Sequence, residues 1–143
     1  MKIQTTRFGE IEINEERIIQ FPLGIPGFNE LKKYVLLDYK DSIKWLHAAD
    51  DPDVAFIVTD PFVIFSDYSF SLNDDEEKFL GIGKPEDVVV LVILNVSDTG
   101  LTANLKAPIV FNASNLKAAQ ILVDDERYSF KVPLPSLSQE SGK

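Results

Sequence analysis

The sequence contains one histidine, His47, and no cysteine. Thiolate nucleophiles, disulfides and zinc sites of the Cys/His kind are therefore excluded, and imidazole chemistry would run through a single side chain. A strand over 42–48 puts Ile43, Trp45 and His47 on one face and Lys44, Leu46 and Ala48 on the other. There the histidine reads as a packed, hydrogen-bonded residue rather than a general base. Asp50-Asp51-Pro52-Asp53 gathers carboxylates closely enough to hold a hard cation, but an EF-hand loop counted from Asp51 would need Gly where Phe56 stands and Glu where Phe62 stands. An acid-rich turn at a strand entry is the simpler account. Leu80-Gly81-Ile82-Gly83-Lys84 shares Gly and Lys with phosphate-binding loops, yet Pro85 follows where Ser or Thr is required. With 23 acids in the chain, a carboxylate pair can be drawn almost anywhere and carries no information. By elimination the residues favour a binding protein over an enzyme, with no cofactor and no metal expected.

Two features give binding something to work with. The formal net charge is −9, and the segment from Asp50 to Asp87 alone, with 11 acids and 2 bases, accounts for all of it. A field of that sign repels phosphate backbones and attracts basic surfaces, which disfavours direct nucleic-acid binding and favours a basic protein partner. The plainer alternative is that acidic excess keeps the protein soluble. The second feature is Asp60-Pro61-Phe62-Val63-Ile64-Phe65-Ser66-Asp67-Tyr68-Ser69-Phe70, where apolar bulk sits among turn and acid signals. Either these are core residues of two short strands, or part of them, Phe62 and Phe65 first, forms an exposed patch rimmed by acids.

The elements that must position these residues are mostly strands. At 143 residues, 45% hydrophobic and 26% charged, the chain has the size and apolar content of one folded domain, expected over 1–135, with a polar, disordered tail at 136–143. A strand, a Gly-containing turn and a second strand fill 3–13, and Asn14 caps one turn before a strand at 17–21. The stretch 21–28, with two Pro and two Gly, is a loop anchored by Phe21, Ile25 and Phe28. Short strands follow at 33–39, 42–48 and 54–59, the last closed by Pro61. Asn73 and the acids after it announce a helix to Leu80, stopped by Gly81. The run 88–96 is so β-branched that it should be a central strand buried on both faces. Strands at 102–105, 108–112, 117–123 and 128–132 complete the reading, with helix as an alternative over 116–123. The fold class is mostly β, a small antiparallel β-barrel-like domain with one or two short helices. No apolar run approaches the ~20 residues of a spanning helix, and Met1 to Arg7 lacks the apolar stretch of a secretory signal, so a cytoplasmic, membrane-free protein is expected.

Four segments, in order, resemble the bacterial flagellar assembly factor FliW family: Arg7-Phe8-Gly9-Glu10-Ile11-Glu12-Ile13, Phe21-Pro22-Leu23-Gly24-Ile25-Pro26-Gly27-Phe28, Ala55-Phe56-Ile57-Val58-Thr59-Asp60-Pro61-Phe62 and Thr102-Ala103-Asn104-Leu105-Lys106-Ala107-Pro108-Ile109-Val110. The resemblance implies a β-barrel-like regulator without a catalytic site. It implies binding to cytoplasmic flagellin and, by partner exchange, to the RNA-binding translational repressor CsrA, two chains per repressor dimer, the chain alone being a monomer. Motif density and aromatic placement add Asn104, Leu105 and Pro108 to Phe62 and Phe65 as expected flagellin contacts, and charge assigns Asp50, Asp51 and Asp53 to the repressor. A reading from another class stays open: a small β-barrel enzyme or a carboxylate site for a metal or small cation.

Overall fold

The computed structural model describes residues 1–98 and 100–134, so the tail expected at 136–143 lies outside the described residues. The chain opens with an antiparallel hairpin, β1 (Lys2–Thr5) and β2 (Gly9–Glu12), with Ile3 opposite Ile11. β1 ends at Thr5 because that hydroxyl accepts from the Phe8 N–H and donates to the Gly9 carbonyl, closing a side-chain turn that competes with the ladder. Asn14 then caps a single 3-10 turn at Glu15–Arg17, accepting from the Glu16 N–H at 2.9 Å.

The main sheet is built from β3 (Ile19–Gln20), β4 (Lys33–Lys40), β5 (Ile43–Ala48), β6 (Ala55–Thr59), β7 (Val88–Ser97), β8 (Gly100–Ala103), β9 (Ile109–Asn112), β10 (Ala118–Gln120) and β11 (Val132–Pro133). Its order is β10-β9-β7-β6-β5-β4-β3, with β8 on the far half of β7 and β11 on β8, every pairing antiparallel. The sheet curls until its ends meet at one parallel bridge, Gln20 with Lys117, where the Gln20 N–H donates to the Leu116 carbonyl at 2.8 Å. This is the barrel-like fold the sequence implied. Two helices, α1 (Pro61–Ile64) and α2 (Asp74–Leu80), lie between β6 and β7.

The expected central strand is β7. Val88 to Leu91 pair with β9, Leu94 to Ser97 pair with β8, and Val92 to Leu94 pair with β6 on the opposite edge. Alternate residues of β7 enter different cores. Val89, Leu91 and Ile93 join Tyr34, Leu46, Val58 and Ile109 inside the curl; Val92 and Leu94 join Tyr68, Ala103 and Leu105 on the other face. Burial on both faces stops at Leu94, for Asn95 and Val96 extend into the exposed β7–β8 hairpin.

Two expectations change, and one open alternative is decided. The strand at 128–132 reduces to Val132–Pro133, because Asp125 accepts the Arg127 N–H and guanidinium and its carbonyl accepts the Tyr128 N–H, making a turn of the preceding residues. Pro61 begins a helix rather than merely closing a strand. Its missing N–H is tolerated at a first helical position, and Asp60 supplies the cap by accepting from the Phe62 N–H at 2.8 Å. At 117–123 the chain is extended, as a short β10 whose ladder continues through the Ile121 N–H to Pro108 and the Val123 N–H to Lys106. The expected loop at 21–28 buries Phe21 and Ile25 fully, while Phe28 stays 38% exposed against Phe56.

Within that loop Gly24 has φ +72°, and a Cβ there would lie 2.6 Å from Asn29 Cα, in collision with backbone; Gly27 has φ +89° with open space around it. Gly24→Ala should therefore lose more than about 2 kcal/mol of stability from strain plus clash, and Gly27→Ala only about 1 kcal/mol from strain. Urea denaturation of the two variants checks the ranking, and equal losses would contradict it.

Candidate protein-binding surface

His47 is fully buried in β5, its Nδ1 2.8 Å from the Ala48 carbonyl and its Nε2 without a partner among the described residues. Beside it Trp45 carries the Arg7 guanidinium over its ring at 4.5 Å, flanked by Phe8 and Tyr39. The first hairpin thus roofs this part of β5, and the packed reading of His47 fits the geometry. Among the described residues no group of three or more His, Asp or Glu is gathered as metal ligands would be.

Asp50, Asp51 and Asp53 lie in the β5–β6 connection. Asp50 is exposed, Asp51 accepts from the Asp53 N–H at 2.9 Å, and the Asp53 carboxylate accepts the Thr6 hydroxyl. The Thr6 N–H also donates to Pro52 O, so the acidic turn is clamped to the first hairpin. It adjoins the Ala55 end of β6, whereas Phe62 and the acids of α2 follow the Thr59 end. The acidic third of the sequence is therefore divided between two places along β6.

α1 has one turn, so Pro61, Ile64 and the following Phe65 share the side facing the sheet while Phe62 and Val63 face away. Pro61 is buried, Ile64 and Phe65 are half-buried, and Phe62 and Val63 are 44% and 67% exposed. Exposure thus holds for Phe62 and not for Phe65. The segment is fixed by Tyr68, whose buried hydroxyl donates to the Leu105 carbonyl at 2.8 Å and whose ring meets Phe62, Phe70 and Tyr128. Tyr68 does join the two segments singled out by sequence, but as core. Leu105 and Pro108 are buried, correcting the expectation that they offer exposed contacts, and Asn104 turns its side chain to accept the Ala107 N–H at 3.0 Å. The 104–108 segment must cross from β8 to β9 beneath Tyr68, which is why its apolar residues turn inward.

α2 carries the Asn73 cap expected from its sequence and completes it to a capping box: Asn73 accepts the Glu76 N–H, and Glu76 accepts the Asn73 N–H. Its far end is held from the sheet, where the buried Asn112 amide donates to the Leu80 and Gly81 carbonyls at 3.0 Å each and Asn115 donates to Leu80 as well. Between α1 and α2 runs a groove of about 520 Å³ walled by Phe62, Phe70, Leu72 and Ile82, with Val88 and Val90 of β7 below and Glu77 and Lys84 adding charge. A second groove, about 460 Å³, is lined by Ile25, Phe56, Ile93, Leu122 and Phe130. Sequence reasoning missed Leu122 and Phe130, both more than half exposed, and within the 60–70 segment it put Phe65 ahead of Val63. Only the apolar run Ile121-Leu122-Val123 beside Asp124-Asp125 marked a place where a strand edge could not hide every side chain.

Burial pushes the Tyr34 phenol up to about 12, with Asp51 adding to it, and burial next to Tyr128 holds the Tyr68 phenol well above its ordinary range. Both groups bind their protons more tightly when folded than when unfolded. Stability should be fully present below pH ~10, the unfolded phenol value, and fall as pH rises toward about 12. Equal urea midpoints at pH 9 and 11 would contradict this. Tyr68→Phe should cost about 1–2 kcal/mol by stranding the Leu105 carbonyl, and Tyr34→Phe less, since that hydroxyl has no partner among the described residues.

Comparison with known proteins gives consistent matches. The family model described as FliW protein matches residues 2–134. A protein named flagellar assembly factor FliW from Syntrophus aciditrophicus is 47% identical over 135 residues, covering 92% of this chain and 85% of its own. One of the same name from Caldanaerobacter subterraneus subsp. tengcongensis is 38% identical over 139 residues, covering 94% and 93%. A crystal structure of the flagellar assembly factor FliW superposes with a TM-score of 0.88 at 38% identity, covering 94% of this chain and 96% of that one.

Proposed function

We propose, from the premise that this chain belongs to the FliW family of flagellar assembly factors, that it works in the cytoplasm by exchanging between two protein partners and without catalysis. One partner is monomeric flagellin; the other is a CsrA-type repressor of flagellin mRNA. While flagellin accumulates, it occupies the factor and leaves the repressor free to silence translation. After flagellin export the factor returns to the repressor and translation resumes. The observation carrying this reading is the family match across residues 2–134, together with relatives named flagellar assembly factors. Physical support comes from charge. An RNA-binding repressor presents a basic surface, and a chain of net charge −9 is steered toward it while disfavouring RNA nearby. For flagellin the support is the exposed pair Phe62 and Val63, apolar anchors of the kind found at the centre of protein interfaces.

The test uses labelled leader RNA held by purified repressor. Adding the chain should release the RNA, saturating near two chains per repressor dimer, and adding monomeric flagellin should restore RNA binding. RNA that stays bound at saturating chain would overturn the antagonist role. Release that flagellin cannot reverse would overturn the exchange.

A further inference from the structure

The first hairpin stands apart from the rest of the fold. β1 and β2 pair only with each other, and among the described residues two hydrogen bonds join the hairpin to the body of the protein, both from Thr6. Its N–H donates to the Pro52 carbonyl at 2.8 Å and its hydroxyl to the Asp53 carboxylate. The outer face of the hairpin is polar, with Lys2 and Gln4 both on Glu10. The inner face holds little: Ile3 and Thr5 are buried, Ile11 is half-buried, and neither isoleucine belongs to any of the three hydrophobic clusters. The hairpin can therefore leave without opening a core.

Beneath it lie polar atoms that closure leaves unserved. Phe8 meets Trp45 edge-on with ring centres 6.4 Å apart, and the Arg7 guanidinium covers the same ring. The Trp45 Nε1–H is buried with no acceptor among the described residues, and on the same face of β5 the His47 Nε2 is buried with no partner either. The one other described side-chain atom in this state, the Tyr34 hydroxyl, belongs to the cluster inside the curl. A buried polar atom without a partner has lost its hydrogen bond to water and regains it on exposure. Hydration of Trp45 and His47 thus offsets part of the loss when Ile3 leaves its contacts. A detached two-stranded hairpin is marginally stable in water, so lifting and unravelling go together.

We propose that the first hairpin is a strap, clasped by Thr6 to Pro52 and Asp53, that opens as one unit from an otherwise folded protein and uncovers Trp45 and His47 on β5. Opening releases the Asp53 carboxylate with it, so the state of the strap sets whether that carboxylate is engaged or free. The inference does not depend on which partners the protein binds.

The test is hydrogen exchange followed by NMR on the full-length, 15N-labelled chain at low denaturant concentrations. Three protons report on the strap: the Thr6 amide, bonded to the Pro52 carbonyl; the Ile13 amide, bonded to the Met1 carbonyl; and the indole proton of Trp45, the only tryptophan in the chain. All three should exchange through one opening, with the same small dependence on denaturant, and that opening should be populated at least about a hundredfold more than the one that exposes the amides of Leu91 to Leu94. Thr6→Val removes the bond to Asp53 at an exposed position and should speed exchange at Ile13 and the Trp45 indole severalfold, leaving Leu91 to Leu94 unchanged. Exchange of the three protons only through global unfolding in the unaltered protein would overturn the proposal. So would exchange of Thr6 alone with Ile13 and the indole still protected, which is fraying of a turn, or unchanged rates at Ile13 and the indole in Thr6→Val, because Thr6 would then not be the clasp.

Discussion

The structure depends on β7 being buried on both faces. Its β-branched residues cannot face water on either side without loss, each fully buried Val, Leu or Ile contributing roughly 1.5–3 kcal/mol. The chain must therefore cover it twice. One covering comes from the sheet itself, which curls until Gln20 reaches Lys117 and encloses Leu91 with residues from both of its ends, Ile19 and Ala118 among them. The other comes from the insertion between β6 and β7. Tyr68 and its neighbours lie over Val92 and Leu94, and Leu80 of α2 packs in the cluster that takes Val88 and Val90. Residues of β7 thus enter all three hydrophobic clusters.

The second covering is held in place from the sheet. Two hydrogen-bond systems fix it: Tyr68 to the Leu105 carbonyl, and Asn112 with Asn115 to the last carbonyls of α2. Both run from the insertion to the 104–115 region, so the acidic segment is held against a rigid frame. Because each helix is anchored at one place and neither is long, the covering is incomplete, and Val88 and Val90 remain partly exposed.

Much of this was legible in the sequence. Asn73 and the acids after it announced α2, the two Pro and two Gly of Phe21-Pro22-Leu23-Gly24-Ile25-Pro26-Gly27-Phe28 announced an irregular loop, and the run at 88–96 announced the central strand. Those signals are local: a cap, a cluster of breakers, a dense apolar run. What failed was non-local. A one-turn helix at Pro61 has no periodicity to detect. Leu105 and Pro108 are inward because Tyr68, far along the chain, covers them. Asp50, Asp51 and Asp53 belong to the same acidic block as α2, yet β6 carries the chain away from them, and the first hairpin claims Asp53 through Thr6. Burial of His47 was readable from its face on β5; the roof over that face, from the first hairpin, was not.

Native-state hydrogen exchange tests the central dependence most directly. If β7 is the element on which the other coverings rest, the amides of Leu91, Val92, Ile93 and Leu94 should exchange only through global unfolding, with an opening free energy equal to that from denaturant. Gly83 and Lys84, at the edge of the groove, should exchange through local opening many times faster. Exchange of the β7 amides at an opening free energy well below the global value would contradict the account, because the strand would then be able to leave while its coverings stayed in place.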